Sequence, residues 1–377
     1  MSARLSLLIV HLDDEILGCS LKDEHLIMTP DYHSLVVDRV IPETPEASTL
    51  VFRIPIEHRS EFLFHPGQFL TLRIPRGDRY SPRCYSISGG TQDEVAVTVK
   101  RVRDGFGSNW LLDHVRAGHT LEVRPPSGRF TLRASDAPVV FFAAGSGVTP
   151  MMSILRSAVS RKMARPMTMF YANQSAQQVI FGDVLRAMSQ NAEMRFSLME
   201  WLDDARGFAR PDDIRTFAEP WRSAHFMVCG PGPFMTMVTE TLEDMGIDPD
   251  QIQTERFQSL ADEPLTVACA KASQSTQVNG QSLLPAGARL EVSVSGEVHH
   301  LEVGSEESLL EAMERMGIAV PYSCREGSCG SCMGKLLEGK VEMEVTDALS
   351  AKEIERGYIL TCQAKAASSQ LKLDIDA

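Results

Sequence analysis

The sequence predicts a multidomain protein: an antiparallel β-barrel, then an α/β domain built on a parallel sheet, then a small α+β domain. Three observations carry this. From Ser34 to Val123, short alternating apolar segments recur between Pro, Gly and charged clusters, the pattern of an antiparallel barrel. At Val139 the texture changes to an apolar run ending at Ala144, followed by a glycine-rich turn and an amphipathic helix. That is how a buried parallel strand feeds a helix. Near the C-terminus, Cys324, Cys329 and Cys332 stand at C-x4-C-x2-C, and Cys362 follows.

In the barrel region the expected strands are 35–40, 49–54, 68–74, 95–100 and 120–123, with one helix over 108–114. A further strand carries Arg83, Tyr85 and Ser86. A guanidinium can grip a phosphate bidentately, a tyrosine ring can stack on a flat heterocycle, and a hydroxyl can bond a ring nitrogen. The plainer reading is an ordinary strand with an exposed arginine. Downstream, Val99 and Lys100 close a strand, and Gly107, Ser108 and Asn109 open the helix. Glycines followed by serine at a helix N-terminus make a nest for phosphate.

The second domain opens with Gly145, Ser146, Gly147, Thr149 and Pro150 directly after its first strand. A glycine-rich turn in that place is where a dinucleotide pyrophosphate binds. Thr149 is expected as the N-cap and Pro150 as the first helical residue. Strands over 167–172 and 224–229 continue the parallel sheet. The last ends in Cys229, Gly230, Pro231 and Gly232, where a lone cysteine would ordinarily be a buried structural residue. A reader of the nucleotide's ribose would stand at 171–175, which holds neither Arg or Lys nor an acid. A real but modest preference for a ribose diol over a ribose 2′-phosphate is expected.

A polar segment, 258–287, reads as a linker. A hairpin (289–294 with 298–303) and a helix from Ser308 follow. The cysteine spacing is that of a [2Fe–2S] site, with Cys324, Cys329, Cys332 and Cys362 as ligands. Gly327 and Gly330 free the loop backbone. A structural zinc site is the bland alternative, but zinc favours C-x2-C pairs. His299 and His300, adjacent on a strand, face opposite ways and read as surface.

Composition narrows the classes. A net charge of −13 over 377 residues argues against nucleic acid and anionic membranes as partners. Cys19, Cys84, Cys229 and Cys269 show no pairing pattern, and no signal peptide or transmembrane run is apparent. A cytoplasmic, reducing location is therefore expected.

Pro66-Gly67-Gln68-Phe69 ahead of Arg83-Cys84-Tyr85-Ser86, with Gly-x-Gly-x-x-Pro at 145–150, resembles the ferredoxin–NADP reductase superfamily. The cysteine region resembles plant-type ferredoxins of the β-grasp fold. The domain order resembles the reductase components of bacterial oxygenases, and the longer matches point to those of 3-ketosteroid 9α-hydroxylases. The implied division is an N-terminal extension at 1–33, an FAD-binding barrel at 34–134, an NAD-binding domain at 135–257, the linker, and a ferredoxin domain at 288–377. The resemblance implies FAD held by Arg83, Tyr85, Ser86, Val99, Lys100, Gly107, Ser108 and Asn109. NADH would lie on Gly145, Ser146, Gly147, Thr149, Pro150, Gly230, Pro231 and Gly232. Ser86, Cys229 and Glu255 would stand at the reacting rings, with Phe257 beside the flavin. Electrons would pass from NADH to FAD, to the cluster, and on to a terminal oxygenase of Rieske type, with the reductase a monomer. Reductases of phenylacetyl-CoA epoxidase or quaternary-amine monooxygenases, and a non-enzymatic redox-sensing module, are the alternatives. Sixteen acidic against nine basic residues in 288–377 suggest charge-steered docking, with Glu326 the first candidate.

Overall fold

Alternating burial closes the first domain on itself. The computed structural model describes residues 32–77, 79–191, 194–257, 263–264, 287–318, 320–322, 325, 327, 330–346, 348–349 and 351–376. The barrel strands are β1 (His33–Thr44), β2 (Ala47–Arg53), β3 (Phe69–Arg76), β4 (Arg79–Gly90), β5 (Glu94–Lys100) and β6 (Thr120–Ser127), with α1 (Phe106–His114) before β6. Their order is β4-β3-β6-β1-β2-β5, and β4 pairs again with β5, which closes the six-stranded barrel. Leu35, Phe52, Leu70, Leu72, Val97 and Val123 fill it. Closure leaves few unpaired edges.

The second domain alternates strands and helices: β7 (Val139–Ala144), α2 (Val148–Ser160), β8 (Met167–Asn173), α3 (Gly182–Gln190), β9 (Phe196–Leu202), α4 (Asp203–Arg206), α5 (Pro211–Ala218), β10 (His225–Cys229), α6 (Gly232–Asp244) and β11 (Ile252–Glu255). The sheet order is β11-β10-β7-β8-β9 and every pairing is parallel. The unbroken apolar run of β7 has its cause here. Val139, Phe141 and Ala143 pack on one face with α2, while Val140, Phe142 and Ala144 pack on the other with α5 and α6.

Two residues of the expected linker form β12 (Glu263–Pro264), an antiparallel pair with Tyr80 and Arg79. They extend the free edge of β4; the rest of the linker through residue 286 lies outside the described residues. The expected N-terminal extension also lies outside them, except that Tyr32 lies under the Arg73 and Arg124 guanidinium groups and His33 already belongs to β1.

The C-terminal domain contains β13 (Ala288–Val294), β14 (Glu297–Val303), α7 (Leu309–Arg315), β15 (Met333–Glu338), β16 (Val341–Met343), α8 (Ala351–Glu355), β17 (Tyr358–Leu360), β18 (Ala364–Ala366) and β19 (Gln370–Asp374). Its sheet runs β14-β13-β19-β15-β17, and β13 lies parallel to the C-terminal strand β19. This is a β-grasp arrangement, with α7 packed through Leu309, Ala312 and Met313. Ser308 caps α7 reciprocally: its Oγ accepts from Glu311 N at 3.2 Å, and its N–H donates to the Glu311 carboxylate at 2.8 Å.

Candidate functional site

β4 turns Ser86 toward the nucleotide domain, while its neighbour Tyr85 faces the other way, against the barrel core and α1. The Ser86 hydroxyl donates to Oε2 of Glu255 at 3.1 Å. Parallel pairing of β10 with β11 sets Glu255 opposite Cys229. Ser86, Cys229 and Glu255, 169 residues apart at the extremes, therefore meet where the two domains join. Desolvation pushes the Glu255 carboxyl up to about 8, so it is protonated at neutral pH. Burial, and then the nearby Glu255, raise the Cys229 thiol, which keeps it an uncharged packing surface rather than a thiolate. Burial likewise raises Tyr85. A neutral acid, a hydroxyl and a thiol side by side suit a site that must accept a flat, hydride-exchanging ring without charge.

The remaining flavin candidates are placed apart from this contact. A Cβ on Gly107 would lie 2.8 Å from Arg83 Cγ and 3.4 Å from Tyr85 Oη, so α1 begins directly against Arg83 and Tyr85. No side chain caps this helix at Gly105, which leaves its first N–H groups for an anion. Ser108 Oγ instead accepts from Val102 N at 3.1 Å, and Asn109 Oδ1 accepts from Arg101 at 3.2 Å. Val99 is fully buried in the barrel core. Lys100 is half-buried with its ammonium depressed by desolvation, and it makes no salt bridge among the described residues. An unpaired, partly desolvated cation fits a pyrophosphate.

Nucleotide candidates converge at the β7–α2 turn. A Cβ on Gly147 would lie 2.0 Å from the Cys229 carbonyl oxygen, and one on Gly230 would lie 2.9 Å from Ala144 Cβ. Only glycine permits these two turns to touch. Gly145 adopts φ +52° and accepts from Tyr171 Oη at 3.0 Å. Thr149 is not the cap: α2 starts at Val148 and its N-cap is Gly147. The Thr149 hydroxyl donates back to Ser146 O at 3.0 Å, because the turn tightens into a short 3₁₀ segment over Gly145–Gly147 before the helix. Pro150 therefore sits deeper in the first turn than expected. Pro231 caps α6 and Gly232 begins it. Asn173, at the end of β8, is buried beside the Tyr171 hydroxyl. Phe257 lies past β11 with its ring exposed.

Sequence reasoning found no acid near the ribose position. The fold supplies one: Asp204 N donates to Gln174 O at 3.0 Å, so α4 brings Asp203, Asp204 and Arg206 beside the end of β8. Arg156 also carries no signal in the sequence. It donates to Ser88 O at 2.9 Å and ties α2 to β4. No local pattern marks either contact.

In the C-terminal domain, Cys332 Sγ and Cys362 Sγ are 3.2 Å apart, well beyond the ~2.05 Å of a disulfide. Thr361 holds them together, giving both its N–H and its hydroxyl to Cys332 O at 3.0 Å. Gln363 donates to Arg325 O at 3.0 Å. Gly327 and Gly330 both take positive φ, and a Cβ on Gly327 would meet Gln363 and Val345 at 2.9 Å. Two adjacent thiols, not joined as a disulfide, under a glycine-bent loop fit an iron–sulfur cluster. Cys324 and Cys329 lie outside the described residues, as does Glu326. The segment of Cys332 also touches the barrel: Ser127 Oγ donates to Ser331 Oγ at 3.0 Å, and Arg129 donates to Met333 O at 2.8 Å.

Three domain families match. Residues 39–132 match the oxidoreductase FAD-binding domain, 141–240 the oxidoreductase NAD-binding domain, and 292–367 the 2Fe-2S iron-sulfur cluster binding domain. The 3-ketosteroid-9-alpha-monooxygenase ferredoxin reductase component of Rhodococcus rhodochrous is 42% identical over 90% of this chain and 96% of its own length. One component of the 1,2-phenylacetyl-CoA epoxidase of Escherichia coli is 31% identical over 92% of this chain and 98% of its own length. Phthalate dioxygenase reductase shares the fold, with a TM-score of 0.53 at 22% identity over 91% of this chain and 98% of that one. FAD, NAD and a [2Fe–2S] cluster are thus this oxidoreductase's cofactors, and the chain belongs to the family of ferredoxin reductase components of oxygenases.

Proposed function

We propose that the chain carries electrons from NADH to a Rieske-type terminal oxygenase that hydroxylates 3-ketosteroids at the 9α position, and that it works as a monomer. One observation carries the electron path. Ser331, next to the cluster candidate Cys332, is hydrogen-bonded to Ser127. Ser127 pairs with Phe69, and Phe69 pairs with Ser86. The cluster segment is therefore linked to the flavin-facing hydroxyl through three adjacent strands and one hydrogen bond.

Bound FAD and cluster supply the conversion of a two-electron hydride into single electrons. The chain's own residues do the rest. Arg83, Lys100 and the open N-terminus of α1 hold the flavin phosphates, and Tyr85 packs against the ring. Ser86 and protonated Glu255 hold a proton beside the ring atom that exchanges hydride. The Gly145–Gly147 turn with Asn173 holds the nucleotide, and Cys229 with Gly230 leaves room for its nicotinamide. Cys324, Cys329, Cys332 and Cys362 ligate the iron.

The steroid partner is favoured by the Rhodococcus relative's name and its 42% identity; the epoxidase component at 31% keeps a second partner class open. Reconstitution decides between them. The purified reductase, NADH and a ketosteroid 9α-oxygenase should give coupled NADH consumption and 9α-hydroxylated product. Coupling with a phenylacetyl-CoA epoxidase instead, and none with the steroid oxygenase, would overturn the steroid assignment while leaving the reductase reading intact.

A further inference from the structure

At the mouth of the barrel, away from every residue assigned above, three metal-ligating side chains meet. His33 opens β1, and His58 and Glu61 stand on and just after the short 3₁₀ turn at Ile56–His58. Their ligand atoms all lie within 4.8 Å of one another. His33 Nε2 is 3.0 Å from Glu61 Oε2, and His58 Nδ1 is 2.9 Å from Glu61 Oε1. The two imidazoles lean together with centroids 4.2 Å apart, and Phe62 walls one side with its ring edge-on to His33 at 5.5 Å.

We propose that His33, His58 and Glu61 form a binding site for one divalent transition-metal ion of the zinc type, independent of the iron–sulfur cluster.

Donor chemistry and geometry both favour it. Two imidazoles and one carboxylate are a borderline-soft set of the kind zinc takes, with water completing a tetrahedron. Ligands about 2.1 Å from one ion lie roughly 3.0 to 3.4 Å apart. The His–Glu61 gaps of 2.9 and 3.0 Å, made to different oxygens of one carboxylate, need to open by only a few tenths of an ångström, and the imidazole ligand atoms, within 4.8 Å of each other, would draw in around the ion. His33 Nε2 is buried, and the carboxylate it faces at 3.0 Å is that of Glu61. The side chain of Glu61 is 44% exposed, so an ion can enter from solvent without unfolding the barrel. Occupied, the site would clamp the first residue of β1 to the turn that leads into Phe62 and so brace the strand where the chain enters the barrel.

Zinc alone is the probe. The full-length holoprotein would be gel-filtered after incubation with a small excess of zinc ion, and its zinc, iron and FAD counted; affinity would be set by competition with a chromophoric chelator. Wild type should retain one zinc per chain beyond any that Cys84, Cys229 or empty cluster sites hold. Glu61→Gln changes a half-exposed residue and should keep FAD and iron content while weakening zinc by about tenfold or more. His58→Ala should do the same independently. Equal zinc affinity in wild type and both variants, or no zinc retained by wild type, would overturn the proposal. A rise in melting temperature with zinc in wild type, absent from Glu61→Gln, is the second expected readout.

Discussion

The barrel has two junctions, and they are built differently. Toward the nucleotide domain the join is buried. Ala47 and Phe130 of the barrel side lie in the nucleotide domain's own hydrophobic core, half-buried Arg156 bonds into β4, and Glu255 reaches Ser86. Across this join a Cβ on Gly67 would already lie in van der Waals contact with Ile154 Cδ1 of α2, at 3.5 Å. Toward the ferredoxin domain the described contacts are polar: Ser127 with Ser331 and Arg129 with Met333 O, while Arg356 pairs with Asp250 of the nucleotide domain. Hydrogen bonds of this kind contribute about 0.5–1.5 kcal/mol each, and exposed ion pairs less. Hydride transfer demands a fixed geometry between two rings, and the first junction provides one. A cluster that must receive an electron inside the molecule and deliver it outside needs a contact that opens, and the second junction is of that sort.

The largest break in this comparison comes from removing the cluster. Cys362→Ser should abolish the cluster signal in electron paramagnetic resonance after dithionite reduction and stop electron delivery to an oxygenase. FAD content and its bleaching by NADH should persist, since the barrel and nucleotide domain have their own cores. A full cluster signal in the variant would remove Cys362 from the ligand set.

The buried junction is tested at Glu255. Glu255→Ala should slow NADH reduction of the flavin by about 10²-fold without altering the cluster signal. The pH dependence has a definite sign. Because the carboxyl is raised from 4.5 to about 8, it is protonated below that pH and loses its proton as pH rises through it. The wild-type rate of flavin reduction should fall on that alkaline limb, and Glu255→Gln should flatten it. Stability should behave alike: the folded state binds the proton more tightly, so stability is lost as pH rises from 4.5 through about 8, and Glu255→Gln should remove that loss. A wild-type profile flat from about pH 6 to 9 would sink the acid role.

Much of both junctions' raw material was legible in the chain, and much of their assembly was not. Local periodicity marks the barrel strands and the run at β7, because alternating or two-sided burial imposes a pattern on consecutive residues. The cysteine spacing is legible for the same reason: one loop carries three of the four thiols. Thr149 misled, because a residue type favoured at N-caps stands two positions into a helix whose turn is set by Gly147 against Cys229. Ser127 with Ser331, Arg156 with Ser88, and Asp204 beside Gln174 had no local signal. The first two are fixed by how separate domains pack, with 204 residues between the first pair, and the third by how α4 returns to the end of β8 within one domain.

The last of these contacts gives the next prediction. Asp203 and Asp204, with Arg206 next to them, stand beside the end of β8, and two carboxylates against one guanidinium would disfavour an added dianion there. NADH should exceed NADPH in kcat/KM by on the order of tenfold, and Asp203→Asn with Asp204→Asn should shrink that ratio toward parity. A ratio already favouring NADPH in wild type would contradict the account.

The most direct test of the whole path is the smallest effect. In stopped flow, NADH mixed with the reductase should bleach the flavin first and the cluster after it. Arg129→Ala, which removes one bond to the Cys332 segment, should leave the first phase unchanged. It should slow the second by about threefold to tenfold, the equivalent of one lost hydrogen bond. If both phases are unchanged in Arg129→Ala and in its double variant with Ser127→Ala, the ferredoxin domain does not receive its electron through the contact at Ser127 and Arg129.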